Sequence, residues 1–229
     1  MIGIIAAMEV EARELISHID NKQVKIIGAV EYTFGTLYGK DVVIAISGEG
    51  KVNAAMCTQA MIMAFNPDII INTGVAGGLA DDLKTGDTVV ATSVCQHDSN
   101  YTARGYEIGY LFGIDRVYID CDKKISALLS ESVKQVTDNC KNGVIASGDL
   151  FISSDKTKKH LKSAFNAVAC DMESGAIGHV CCKNDVPFAI LRAISDGGGD
   201  GAAMTFGEFC DMAVNVSSAV IKNLLEKIR

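Results

Sequence analysis

Three acidic residues stand where one cleft could gather them. Glu11 follows the first apolar run of the chain, Glu173 closes another, and Asp196 ends the run Val186-Pro-Phe-Ala-Ile-Leu-Arg-Ala-Ile-Ser-Asp196, immediately before Gly197-Gly-Gly199. Carboxylates that converge in a cleft transfer protons or bind polar ligands once their surroundings tune their pKa values. Arg192 interrupts the last run with a charge, and Ser195 directly precedes its acid. Taken alone, Asp196 is equally compatible with a cap on a turn or helix followed by a flexible glycine loop. The rest of the chain has to decide between the two.

The acids meet only if the runs before them are strands of one sheet, whose carboxyl ends are where open α/β sheets bind ligands. Ile2 to Ala7 reads as a short apolar strand, followed by a helix from Glu9 to Ile16 with Glu9 and Glu11 in its first turn, where the dipole favours acids. Lys25 to Ser47 holds three β-like runs, the last two joined through Tyr38-Gly39-Lys40 as a hairpin. Val52 to Phe65 is a buried helix stopped by Pro67, and Asp68 to Asn72 a core strand leading into Thr73-Gly-Val-Ala-Gly-Gly-Leu79, read as a glycine-rich turn that brings backbone close to a ligand.

Further strands are expected at Asp87–Cys95, Gly143–Ile152, Ala167–Glu173 and Val186–Asp196, with helices at Asp122–Thr137, Asp155–Leu161, Ser174–Cys182 and Phe206–Ile228. Residues 96–115 form a polar, aromatic loop with Tyr101, Tyr106, Tyr110 and Phe112, long enough to be a functional or interface segment. This alternation predicts an α/β fold of three layers, α/β/α, around a mixed central sheet.

With 229 residues, 48% hydrophobic and 21% charged, the chain suits one domain spanning 1–229. A net charge of -7 without any basic block excludes attraction to nucleic acid or acidic membrane, leaving a small molecule as the expected partner. Eight cysteines, with no Cys-x-x-Cys pair and no His at ligand spacing, read as reduced thiols of a cytoplasmic protein without a metal site. The apolar start Met1–Met8 meets Glu9 too soon to be a signal peptide or a membrane span. The glycine-rich segment is neither G-x-G-x-x-G nor a P-loop, so no nucleotide cofactor is expected.

Six motifs occur in order: Gly3-Ile-Ile-Ala-Ala-Met-Glu-x-Glu11, Ser47-Gly-x-Gly-Lys-Val52, Ile71-Asn-Thr-Gly-x-Ala-Gly-Gly-Leu79, Ser147-Gly-Asp-x-Phe-Ile152, Asp171-Met-Glu173 and Arg192-Ala-Ile-Ser-Asp196. Together they resemble the motif set of bacterial 5′-methylthioadenosine/S-adenosylhomocysteine nucleosidases, from near Ile2 to the C-terminal helix. The resemblance implies a nucleoside phosphorylase-like fold and hydrolysis of the bond between adenine and a 5′-thio-substituted ribose. Such a reaction passes through a ribosyl oxocarbenium ion and needs an acid for the departing base, a base for the water and polar groups for the sugar.

By that resemblance Asp196 is the acid on adenine, oriented by Ser195; Glu11 activates water, with Arg192 holding it; and Glu173 binds the ribose hydroxyls, above Met172. Phe151 stacks on adenine, whose edge the Ile152 main chain reads. Ala76 and Gly77 bring backbone to the substrate, and Met8 and Phe206 line the thio-substituent pocket. The resemblance also implies a homodimer, with Tyr106 from loop 96–115 reaching the neighbour's site. His97, His18, His160 and His179 are read as structural or surface residues.

Two positions depart from the family pattern. Glu49 replaces a small apolar residue and Arg104 an aromatic or apolar one, both near the substrate's 5′ end in relatives. The two either pair with each other or with a zwitterionic tail, favouring a polar 5′ group such as that of S-adenosylhomocysteine or aminodeoxyfutalosine, or both point to water. Val75, where some relatives have serine, is a lesser change. The rival functions are a related adenosine-type nucleosidase, a purine nucleoside phosphorylase, which needs cations for phosphate where Glu11 stands, and a non-catalytic adenosine-ligand sensor.

Overall fold

Both faces of the central apolar runs are covered, and that arranges the molecule. A computed structural model describes residues 1–196 and 206–228, with side chains for 1–195 and 215–228. In the first strand, β1 (Ile2–Ala6), all five residues are buried, and alternate side chains enter different clusters: Ile4 and Ala6 on one face, Ile5 on the other. A strand buried on both faces is the pattern of a parallel sheet interior. β1 lies parallel between β4 (Lys40–Ile46) and β5 (Ile69–Gly78), and β5 is in turn parallel to β10 (Phe188–Asp196).

The remaining strands are β2 (Asp20–Ile27), β3 (Val30–Leu37), β6 (Thr88–Gln96), β7 (Ile119–Asp120), β8 (Cys140–Ser147) and β9 (Ala167–Asp171). The sheet is mixed. It runs β10-β6-β8-β9-β5-β1-β4-β3-β2, and a further pairing of β10 with β5 closes the first five strands into a ring. The β3–β4 hairpin turns through Tyr38 (φ 49°) and Gly39 (φ 78°), both left-handed, as a two-residue turn that matches strand twist requires.

Helices α2 (Lys51–Phe65) and α5 (Ser174–Lys183) cover one face through Ala54, Cys57, Met61, Ile177 and Cys181. Helices α1 (Glu9–Ser17), α3 (Lys123–Val133) and α6 (Phe206–Lys227) cover the other through Leu15, Leu129, Val133, Ile221 and Leu224. A further helix, α4 (Asp155–Phe165), seals β8 and β9 with Leu161 and Phe165. The three-layer α/β architecture is thus the one the alternation of elements predicts. No described helix is long and apolar enough to cross a membrane.

Two expectations change. Thr73–Gly78 is not a turn: β5 continues through it, because β10 supplies a parallel partner from Ile70 to Gly77 and the glycines stay out of the left-handed region. Conversely, β8 ends at Ser147, and Gly148–Ile152 is loop, since β9, its neighbour, pairs no further than Ser147↔Asp171. The short β7 was not anticipated, two residues being too few for a periodic signal.

Candidate functional site

The chain reverses from β1 into α1 at Ala7-Met8, and Glu11, in the first helical turn, folds its carboxylate back over the helix start. Its Oε2 accepts from the backbone N–H groups of Ala7 and Met8, each at 2.9 Å. Its Oε1 accepts from Val75 N–H of β5 at 2.9 Å. Helix dipole and three amides thus aim positive charge at one buried carboxylate. Burial nevertheless raises its pKa above the ordinary value, against the opposing influence of Arg192 and the three amides.

Arg192 is 1% exposed in the middle of β10. Its Nε and Nη2 both reach Asp171 Oδ2, at 2.8 and 2.7 Å, and Nη2 also donates to Asn72 Oδ1 at 2.5 Å and Ser174 Oγ at 3.0 Å. Its direct partner is therefore Asp171, while Glu11 is held by main chain. The two still face each other across Gly74: a Cβ there would lie 2.6 Å from Glu11 Oε1 and 2.9 Å from Arg192 Nη1. Glycine at 74 is what lets acid and guanidinium share that space.

Glu173 sits at the start of α5, and its Oε1 accepts from Gly50 N–H at 2.8 Å. Its Oε2 is 3.9 Å from Arg192 Nη2. Burial first, and the neighbouring Asp171 second, push its pKa up to about 7. Glu11, Asp171 and Glu173 line the interior of a cavity of about 350 Å³, with Ala7, Met8, Val75, Ala76, Gly77, Cys170, Met172 and Ser195 around them. Glu49, Leu150, Phe151 and Ile152 complete its wall.

Phe151 is 83% exposed, so its ring stands on the rim rather than inside. Ser195 donates to Ala76 O at 3.2 Å, and the β10–β5 register slips by one residue there, Ile194 pairing Ala76 and Asp196 pairing Gly77. Such a slip re-aims side chains at a strand end. The side chains of Asp196 and Phe206 lie outside the described residues. The Glu11 and Glu173 carboxylates, buried and facing one cavity, can accept a proton or ligand hydroxyls. Among the described residues lining the cavity there is no cation, and Arg192, behind the wall, is the positive charge that partly offsets them.

Tyr106 does not line this cavity. It packs with Tyr110 at 4.7 Å and Phe112 at 4.9 Å between ring centres, and Arg104 lies over the rings of Tyr106 and Phe112 at 5.9 and 5.2 Å. Arg104 is therefore occupied with this aromatic cluster, and Glu49 stands on the cavity wall without it. His97 is buried with its ring against Gly148, consistent with a structural role.

Asn72, Ser147 and Asp171 stand within the motifs without a role assigned from sequence, and Ser174 lies outside them; the structure joins all four around Arg192. Ser147 and Ser174 hydroxyls donate to the two oxygens of Asp171, and Asn72 donates to Ile5 O at 2.9 Å. The signal was present in Arg192: an arginine inside an apolar strand demands a buried acceptor, and Asp171 ends a neighbouring apolar run.

The family model described as "Phosphorylase superfamily" matches residues 1–226. The chain belongs to the phosphorylase superfamily. This superfamily member is similar over its whole length to solved nucleosidases. It is 32% identical to the 5′-methylthioadenosine/S-adenosylhomocysteine nucleosidase of Campylobacter jejuni, with a TM-score of 0.93 and 99% of each chain covered. It is 34% identical to the S-adenosylhomocysteine nucleosidase of Streptococcus pyogenes in complex with 5-methylthiotubercidin, TM-score 0.93, covering 100% of this chain and 97% of that one. It is 31% identical to the futalosine hydrolase of Helicobacter pylori, TM-score 0.91, covering 99% and 98%. Its fold is of the nucleosidase type.

Proposed function

We propose that the protein hydrolyses the N-glycosidic bond of 5′-methylthioadenosine and S-adenosylhomocysteine, releasing adenine. The observation that carries this reading is Glu11: a buried carboxylate, fixed by three amides on the cavity wall, suits a base for water and repels phosphate. Water attacks the anomeric carbon while the bond to adenine nitrogen 9 breaks. Glu11 takes the proton from water, and Asp196 gives one to adenine nitrogen 7. Glu173 accepts from the ribose hydroxyls, and those bonds strengthen as positive charge builds on the sugar. Ser195, bonded to the Ala76 carbonyl, supports the end of β10 that carries Asp196, and Arg192 holds Asp171 and steadies the field around Glu11.

Met8 and Met172 flank the sugar and its thioether, Ala76 and Gly77 lie along the base, and Phe151 with Ile152 closes over adenine. Phe206 joins the thioether pocket. The enzyme acts in the cytoplasm as a homodimer, with Tyr106 of the aromatic cluster entering the neighbour's site. The similarity to a futalosine hydrolase supports a second reading, a related nucleosidase acting on aminodeoxyfutalosine.

The test is adenine release from 5′-methylthioadenosine, S-adenosylhomocysteine and aminodeoxyfutalosine in phosphate-free buffer. Release without phosphate is expected. A strict phosphate requirement would turn the reading to a phosphorylase, and binding without turnover to an adenosine sensor.

A further inference from the structure

The carboxylates inside the cavity are buried, whereas its open rim is formed by exposed Glu49, Leu150 and Phe151. Among the described residues lining the cavity, Glu49 is the one charged side chain on that rim, and it makes no ion pair with another described residue. Its position is nonetheless fixed. Gly48 N–H donates to Ala7 O at 3.1 Å, Gly50 N–H to Glu173 Oε1 at 2.8 Å, Lys51 N–H to Asp149 Oδ1 at 2.7 Å, and the Glu49 carbonyl accepts from Asn53 Nδ2 at 2.7 Å. The carboxylate is thus presented from a tethered turn, next to the acid that faces the sugar.

Resting on the nucleosidase reading, we infer that Glu49 determines specificity: it selects 5′-thioadenosines whose tail carries a protonated amine over those whose tail ends in a carboxylate. With the ribose hydroxyls at Glu173, a substituent on the 5′ carbon leaves the cavity across the rim and meets Glu49 there. An ammonium at the end of a propyl tail gains an ion pair, and a carboxylate meets like charge in front of an already acidic cavity. Within one chain Arg104 is engaged over the rings of Tyr106 and Phe112. In the proposed homodimer that cluster reaches the neighbour's site, so Arg104→Ala is measured beside the Glu49 variants, and a wild-type preference for the carboxylate that Arg104→Ala reverses overturns the assignment.

The experiment uses three thioethers of similar length: 5′-aminopropylthio-, 5′-butylthio- and 5′-carboxyethylthio-5′-deoxyadenosine. The kcat/KM ratio of amine to carboxylate is measured for the wild type, Glu49→Gln and Glu49→Lys at low and high salt, with melting temperatures checking the fold. A ratio of roughly tenfold, the combined size of one attraction and one repulsion at a water-facing site, is expected in the wild type. It should shrink with salt, approach unity in Glu49→Gln and invert in Glu49→Lys. A wild-type ratio near one, or a ratio that Glu49→Gln leaves unchanged, overturns the assignment while the nucleosidase reading stands. If none of the three is cleaved and 5′-methylthioadenosine is not either, the reading itself fails and takes the assignment with it.

Discussion

Arg192 and Asp171 form a buried ion pair in which two guanidinium nitrogens, Nε at 2.8 Å and Nη2 at 2.7 Å, converge on a single carboxylate oxygen, Oδ2. Each side chain is 1% exposed. Removing one member leaves an unmatched charge in the core, so Asp171→Ala should lower unfolding stability by about 3–5 kcal/mol. The double variant Asp171→Ala/Arg192→Met removes both charges and should recover part of that loss, because the effects of contacting residues do not add. Urea unfolding of the two single variants and the double one measures the coupling; strict additivity would show that the pair is not a unit.

Gly74 separates Glu11 from Arg192, and its missing side chain has a definite consequence. The added methyl of Gly74→Ala would sit 2.6 Å from one and 2.9 Å from the other. Both neighbours are buried and hydrogen-bonded, so neither yields easily. Overpacking of this kind costs about 1–3 kcal/mol, and displacement of Glu11 should lower kcat well beyond what the stability loss explains. Thermal unfolding with adenine release on the folded variant checks both; a fully active Gly74→Ala would show that the Glu11 position tolerates movement.

The strands were legible where both faces are buried, because runs such as Ile2–Ala6 and Phe188–Ile194 carry no polar alternation to confuse. Thr73–Gly78 misled, since glycine in a sequence suggests a turn, and only the pairing with β10 explains extended glycines there. The acids Glu11 and Glu173 were legible as candidates, and the structure brings them to one cavity. Asp171 was legible only by half: Arg192 inside an apolar strand calls for a buried acceptor, but which of the acids meets it is tertiary information. Glu49 and Arg104 were legible only as departures; that one faces the cavity and the other an aromatic cluster is tertiary information.

Glu11 offers a sharper test of the base. Its oxygens accept from Ala7, Met8 and Val75 N–H groups, so the amide of Glu11→Gln must oppose at least one of these donors with its own NH2 group. A buried donor left without an acceptor costs about 1–3 kcal/mol. Loss of the base should separately lower kcat by about 10²–10⁴. Single-turnover adenine release, normalised to folded protein, distinguishes the two effects; a rate loss no larger than the unfolded fraction would remove Glu11 from the chemistry.

Glu173 makes the pH dependence specific. Burial and Asp171 raise its pKa from 4.5 to about 7, while Arg192 and the Gly50 N–H oppose the rise and Glu11 adds to it. The folded state therefore favours the neutral acid: the stability this provides is present below pH 4.5 and lost as pH climbs through about 7. Relative to Glu173→Gln, the wild type should lose on the order of 3 kcal/mol of stability across that window. Binding of ribose hydroxyls needs the ionised form, so kcat/KM should fall as pH drops below about 7, well above the usual carboxylate range. Glu11, also raised, contributes in the same direction, so the limb belongs to the interacting set. In Glu173→Gln the upper part of that limb should vanish along with the stability change; a wild-type limb at ordinary carboxylate pH would show that ligand-free burial does not set the working ionisation of this site.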